Sequence, residues 1–324
     1  MNRFLFGWLG ILMMLGLACA EPFAFELERE DIDFAALGSG KIIASSYGHY
    51  KNYYIDIDAQ EIYLLPLPKN NENNLAVDPQ GKFVYSIDGR DIYRAVPGIW
   101  DWEILPFKVP AGRDESGWVY NLEIDPTGST LYFIWAKRQG PDRPLMSLDL
   151  NTGDTTNISQ QLDFDVWDFS INPVSGDLLI PYFRATDSLK VLIRLDPKSL
   201  QRDSLFTFPL GQYENFVSLP PLTWLPNGEE LAVIFPHNPD SIFRINLQSQ
   251  EHEAMYDRHQ LSYYHSPFAF NPSGERLAIG FNDAFQVDLW DPSRTRSDYS
   301  KKLIFLGDIC DYSCYGASEI YWFP

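Results

Sequence analysis

Asn74, Asn121, Asp168 and Glu319 carry side-chain oxygens and share one place in a recurring motif, each four residues ahead of the position before a turn proline. Alignment puts Asp33 at the same place in a further copy, while two copies carry Pro221 and Pro267 there, so five of seven sites are carboxylates or carboxamides. Gathered at one end of a set of strands, these groups make a polar ring. Oxygen donors of this kind suit Ca²⁺, and they also grip ammonium or guanidinium groups. A ring that only hydrogen-bonds water and adjacent backbone uses the same residue types, and both readings stand.

The motif is an apolar strand, a Pro-x-Gly turn and a second apolar strand. It reads Leu75-Ala-Val-Asp-Pro-Gln-Gly-Lys-Phe-Val-Tyr85, then Leu122-Glu-Ile-Asp-Pro-Thr-Gly-Ser-Thr-Leu-Tyr132, with further copies from Phe169, Leu222 and Phe268. A copy without the proline runs from Phe34 to Ala44. The turn glycines fall at 40, 81, 128, 176, 228 and 274, a spacing of about 47 residues. Each copy continues into a third and a fourth strand around a polar turn, such as Asn151-Thr-Gly153 or Asp196-Pro-Lys-Ser199. Four strands per period of 40 to 50 residues predicts an all-β, six-bladed β-propeller of four-stranded antiparallel blades. Seven blades is the alternative, because Phe23-Ala-Phe-Glu-Leu-Glu28 and the tail Glu319-Ile-Tyr-Trp-Phe-Pro324 are both strand-like. The tail is expected to supply an inner strand to the N-terminal blade and so close the ring, since an unclosed ring leaves bare sheet edges.

In such a ring the first strand of every blade lines the central channel, and all of them start from one face. The loops leading into those strands therefore share that face. They carry Arg113, Trp118, Trp167, Tyr213, Tyr264 and His265, a mixture of aromatic and polar groups typical of binding faces. Signatures of nucleophilic or nucleotide chemistry are missing: Gly-x-Ser-x-Gly, His-Glu-x-x-His and the Gly-rich phosphate loop do not occur. His259 and His265 fall in one loop and could share a metal, but a polar loop of hydrogen-bonded histidines is the simpler reading. Asp56 and Asp58 belong to a blade hairpin and give no sign of acid–base work.

With 25 Lys and Arg against 44 Asp and Glu, a net charge of −19, the chain lacks the cationic surface that nucleic acid requires. Residues 1–20 read as a signal peptide: Arg3, an apolar run Phe4–Leu17, then Ala18-Cys-Ala20 before Glu21. The run is short for a membrane span. Cleavage after Ala20 leaves 24 basic side chains against 44 acidic ones, net −20, and a single domain over 21–324. Leu15-Gly-Leu-Ala-Cys19 also resembles a lipobox, which would lipidate Cys19 and anchor the chain in the outer membrane; that anchor is the one membrane contact the sequence suggests. In an oxidising compartment Cys310 and Cys314 are expected to close a small disulfide loop.

The repeated [Phe/Leu]-x-[Phe/Ile/Val]-[Asp/Asn]-Pro-x-Gly-x-x-[Leu/Phe] block resembles the WD-repeat-like propeller units of TolB-type bacterial proteins, and is similar to repeats of YncE-like and lactonase-like propellers. The resemblance spans nearly the whole of 21–324. It implies an exported propeller, periplasmic or secreted, that works through loops at one face, and it carries over no catalytic residue. Two functions follow as expectations. One is a non-enzymatic scaffold that binds an envelope protein or a basic peptide segment without a cofactor. The other is a lactonase-like hydrolase or related small-molecule enzyme with Ca²⁺ at the channel mouth.

Overall fold

Alternating apolar residues bounded by Asp-Pro-x-Gly turns leave the chain little choice but antiparallel hairpins. The computed structural model describes residues 34–46, 52–68, 75–109, 117–137, 143–162, 164, 166, 168–184, 189–209, 222–234, 241–257, 268–280, 285–286 and 317–324. The strands within these ranges form five four-stranded sheets and one sheet of three.

The second sheet contains β4 (Leu75–Val77), β5 (Val84–Asp88), β6 (Asp91–Ala95) and β7 (Glu103–Lys108), in that spatial order. The third holds β8 (Gly117–Ile124), β9 (Thr130–Lys137), β10 (Leu145–Asp149) and β11 (Thr155–Asn157). Next come β12 (Ser170–Ile171), β13 (Leu178–Arg184), β14 (Leu189–Leu195) and β15 (Arg202–Pro209). The fifth comprises β16 (Leu222–Trp224), β17 (Glu230–Ile234), β18 (Ser241–Asn246) and β19 (His252–Asp257). The three-stranded sheet contains β20 (Phe268–Phe270), β21 (Leu277–Gly280) and β22 (Phe285–Gln286).

The first sheet joins the two ends of the domain. Its order is β23 (Ala317–Phe323), β1 (Lys41–Ser46), β2 (Asn52–Asp56) and β3 (Glu61–Leu64). The C-terminal tail therefore supplies the inner strand, as the sequence suggests, pairing antiparallel from Lys41↔Phe323 to Ser45↔Glu319. One expectation is corrected here. Phe34–Leu37 aligns with the first strands of other copies but forms a single helical turn. The reason is non-local: β23 already occupies the edge of β1 that those residues would have needed. Asp56 behaves as expected of a hairpin residue, its Oδ1 accepting the Ala59 N–H at 2.9 Å.

Innermost strands of successive sheets touch in chain order, β4 against β8, then β12, β16 and β20, with β20 against β23. Tyr321 of β23 completes the circuit by donating its hydroxyl to the Leu75 carbonyl at 2.6 Å. Apolar clusters fill the space between sheets. Ile43, Tyr54 and Phe323 of the first sheet meet Leu75, Val84 and Ala95 of the second, for instance. Burying side chains of this size contributes about 1.5–3 kcal/mol each. Such a closed series of antiparallel sheets, five of them four-stranded among the described residues, is a β-propeller.

Turns lock the sheets together at one end. In Asp125-Pro-Thr-Gly128 the aspartate Oδ1 accepts the N–H groups of Ser129 and Thr130, and Gly128 takes φ +71. A Cβ at Gly128 would lie 2.6 Å from Oδ2 of Asp78 in the preceding turn. Asn172 likewise reaches forward, donating Nδ2 to the Gly228 carbonyl at 2.7 Å. Gly98, with φ +86, has nothing within 4 Å of the same point. Gly98→Ala should thus cost about 1 kcal/mol for left-handed backbone alone. Gly128→Ala should cost about 2–4 kcal/mol, because the buried Asp78 carboxylate must also give way. Urea unfolding of the two variants beside the wild type checks the difference.

Candidate functional site

Each innermost strand has a ladder on one side only. In β12 the Asn172 N–H bonds back to Asp177, which points the main-chain groups of Phe169 and Ile171 the other way, toward β8. Buried backbone groups need partners, and side chains of the preceding sheet supply them. Glu123 of β8 accepts the Ile171 N–H on Oε2 at 2.7 Å, and Asn121 donates Nδ2 to the Phe169 carbonyl at 2.7 Å. The bond from Tyr321 to Leu75 is the same device between β23 and β4.

Asn121 sits in a bulge. The register of β8 against β9 slips between Tyr120 and Leu122, and Asn121 takes φ +50, a left-handed conformation asparagine tolerates better than most residues. The bulge aims its amide at the next sheet, where Nδ2 also donates to Asp168 Oδ1 at 2.6 Å. Asn121 and Asp168 are 47 residues apart, one repeat, so two neighbouring members of the expected ring do meet.

Asp168 is densely surrounded by protein although part of the residue stays accessible. Oδ1 accepts from Asn121 and from the Phe169 N–H at 2.9 Å. Oδ2 accepts no hydrogen bond among the described residues. Burial pushes the carboxyl up to about 6, because desolvation penalises the charged form more than the two hydrogen bonds to Oδ1 favour it. A carboxyl that is partly protonated near neutrality, with one oxygen fixed and the other uncommitted, marks a candidate functional group. It can hold a cation when ionised or exchange a proton through Oδ2.

Glu319 lies in β23 opposite Ser45, and its backbone occupies the ring place in the first sheet. Asp33, Asn74, Arg113, Trp167, Tyr213, Tyr264 and His265 lie outside the described residues, as do Cys19, Cys310, Cys314 and the signal segment. Trp118 corrects a loop assignment: β8 begins at Gly117, and Trp118 pairs with Ala136 because the bulge lets the ladder continue past Asn121. Sequence reading missed Glu123. The available signal was a charged residue at a strand position where the other copies carry Ala76, Ser170, Thr223, Ala269 and Tyr321.

No family model and no curated protein sequence matches this chain. Solved structures do match. A structure described as TolB from Agrobacterium tumefaciens is 14% identical over 88% of this chain and 99% of its own, with a TM-score of 0.56. TolB from Acinetobacter baumannii is 14% identical over 78% of this chain, which spans only 61% of that structure, with a TM-score of 0.57. A chain of a nidogen/laminin complex gives 13% identity, coverages of 87% and 97%, and a TM-score of 0.54. At such identities the likeness shows a shared β-propeller fold and nothing about the site.

The raised carboxyl sets a pH signature. Between pH 4 and pH 6 the unfolded chain ionises Asp168 while the folded protein resists, so its contribution to stability falls as pH rises. Above about 6 the penalty is fully present, and below 4 it vanishes. Asp168→Asn keeps an acceptor for Asn121 and Phe169 without the charge. Its melting temperature should therefore gain on the wild type from pH 4 to pH 7 and hold that gain at pH 8. A wild type that gained on the variant through this window would contradict a desolvated carboxyl.

Proposed function

We propose that this chain is an exported, six-bladed β-propeller that binds a protein or peptide in the bacterial envelope without catalysing a reaction. On this reading the three-stranded sheet is the sixth blade. A basic segment of the partner docks where the innermost strands begin, at Asp168. The observation that carries the proposal is the uncommitted Oδ2 of Asp168 beside a carboxamide that fixes Oδ1. A lysine or arginine head brought to Oδ2 supplies the counter-charge that burial makes valuable, in a charge-assisted hydrogen bond. A net charge of −19 draws such a segment in from a distance. Export rests on residues 1–20, with a lipid anchor at Cys19 as the alternative to simple cleavage.

A second reading takes the same carboxyl as an acid–base group of a lactonase-like or other small-molecule enzyme, since it is poised near neutrality. Its Ca²⁺ version needs more ligands than the described residues bring together. Among the described residues no group of three or more His, Cys, Asp or Glu converges, and Asn121 and Asp168 alone fall short of the six to eight oxygens Ca²⁺ takes.

Affinity capture from envelope extract, using residues 21–324 and its Asp168→Asn variant at pH 7.5 and pH 5, separates these readings. The scaffold reading expects a partner held by the wild type at pH 7.5 and released at pH 5. Losing the charge-assisted bond should weaken binding about tenfold or more in the variant. Equal capture by both forms would move the site away from Asp168. Absence of any partner, together with turnover of a lactone panel that Asp168→Asn abolishes, would favour the enzyme.

A further inference from the structure

Asn52 opens β2 and is 1% exposed, yet neither Nδ2 nor Oδ1 of its side chain has a hydrogen-bond partner among the described residues. A buried carboxamide can make up to four hydrogen bonds, and leaving them unmade is costly enough that folded proteins seldom do it.

Strand alternation locates the side chain. Asn52 shares a face with Tyr54, which packs on Val84 and Ala95 of the second sheet. Two residues beyond Val84 on that facing surface is Ser86, and its cross-strand partner is Tyr93, two residues from Ala95. Ser86 is 1% and Tyr93 4% exposed. Both steps run away from the Gly40 and Gly81 turns, as does the step from Tyr54 to Asn52. An amide and two hydroxyls thus share one level between the first and second sheets, directly above the apolar level of Ile43, Tyr54, Val84 and Ala95. The three groups are buried and carry no charge of their own, and the ladder sets the backbone of Ser45, and beyond it Glu319, in register with Asn52.

We infer that this polar level between the first two sheets is an internal binding site for a small uncharged guest that both donates and accepts hydrogen bonds, gripped by the Asn52 carboxamide. A water molecule has that chemistry, and so has a hydroxyl of a small polyol. A guest bound to both amide atoms is the ordinary way in which such a buried carboxamide is satisfied. The site is independent of Asp168 and of the function proposed there.

The test uses residues 21–324, wild type and Asn52→Leu, in buffer free of polyols, with erythritol as the probe. Leucine matches the size of asparagine but cannot hold the guest. A resident guest gives a Tm fall of roughly 3 °C or more in the variant. A high-resolution crystal structure of the wild type then shows density within hydrogen-bond reach of both amide atoms. If the guest is water, calorimetric titration with erythritol gives no saturable heat. If it is a polyol, the wild type gives saturable heat and Asn52→Leu does not. A variant that melts as high as the wild type or higher, with no erythritol heat, overturns the proposal. So does a lowered Tm with neither density at the amide nor erythritol heat.

Discussion

The structure depends on one antiparallel pairing, that of β23 with β1. Every other four-stranded sheet is built from consecutive segments, but the first takes its inner strand from the far end of the chain. Several other contacts exist only because that strand is there. Gly40 and Gly81 are held against the backbone of Phe323 and Pro324, so closely that a Cβ would lie 2.6 and 2.8 Å from their carbonyl oxygens. Trp322 Nε1 donates to the Ser39 carbonyl at 3.1 Å, and Tyr321 reaches across to Leu75. Remove the strand and β1 gains a bare edge while β4 and β20 both lose the neighbour that joins them.

The innermost strands pose a second problem, and its solution also shapes the site. Main-chain groups on their inner side have no strand to pair with, so side chains of the preceding sheet reach over. Tyr321, Glu123 and Asn121 all do this. Asn121 therefore has a structural task as well as its bond to Asp168, and its amide is not a free ligand donor. What distinguishes Asp168 from Asn121 is charge. Among the described residues it brings a desolvated carboxyl to the ring, and the neighbour that orients it is itself fixed by a bulge. Scaffold and site are two uses of the same inner edges.

Much of this was legible in the residues. Pro fixes φ, the following Gly tolerates left-handed backbone, and Asp or Asn ahead of them ties the turn; hence the hairpins and their period could be read directly. The tail was legible because Ile320-Tyr-Trp-Phe-Pro324 copies the first-strand pattern of Leu222-Thr-Trp-Leu-Pro226. Phe34–Leu37 was misread because four apolar residues before Gly-Ser-Gly fit a strand as well as a helical turn, and the choice was made by a strand about 280 residues away. Spacing brought out Asn121 and Asp168 as equivalent positions. It could not show that a bulge turns one toward the other, since a bulge is a property of the ladder. Asn52 gave no signal, because its burial comes from a facing sheet.

The first sheet sets the order in which the molecule can be finished. Lys41 and Pro324 are 283 positions apart, yet the lysine Nζ reaches the Pro324 carbonyl at 3.2 Å. Closing so long a loop adds little equilibrium cost, about 0.6 kcal/mol for each doubling of length. Its burden is kinetic, for contacts so remote form late. During synthesis every sheet but the first can assemble as its own segments emerge. The first must wait for β23, so β1 stays a half-built template until Ala317–Phe323 has emerged.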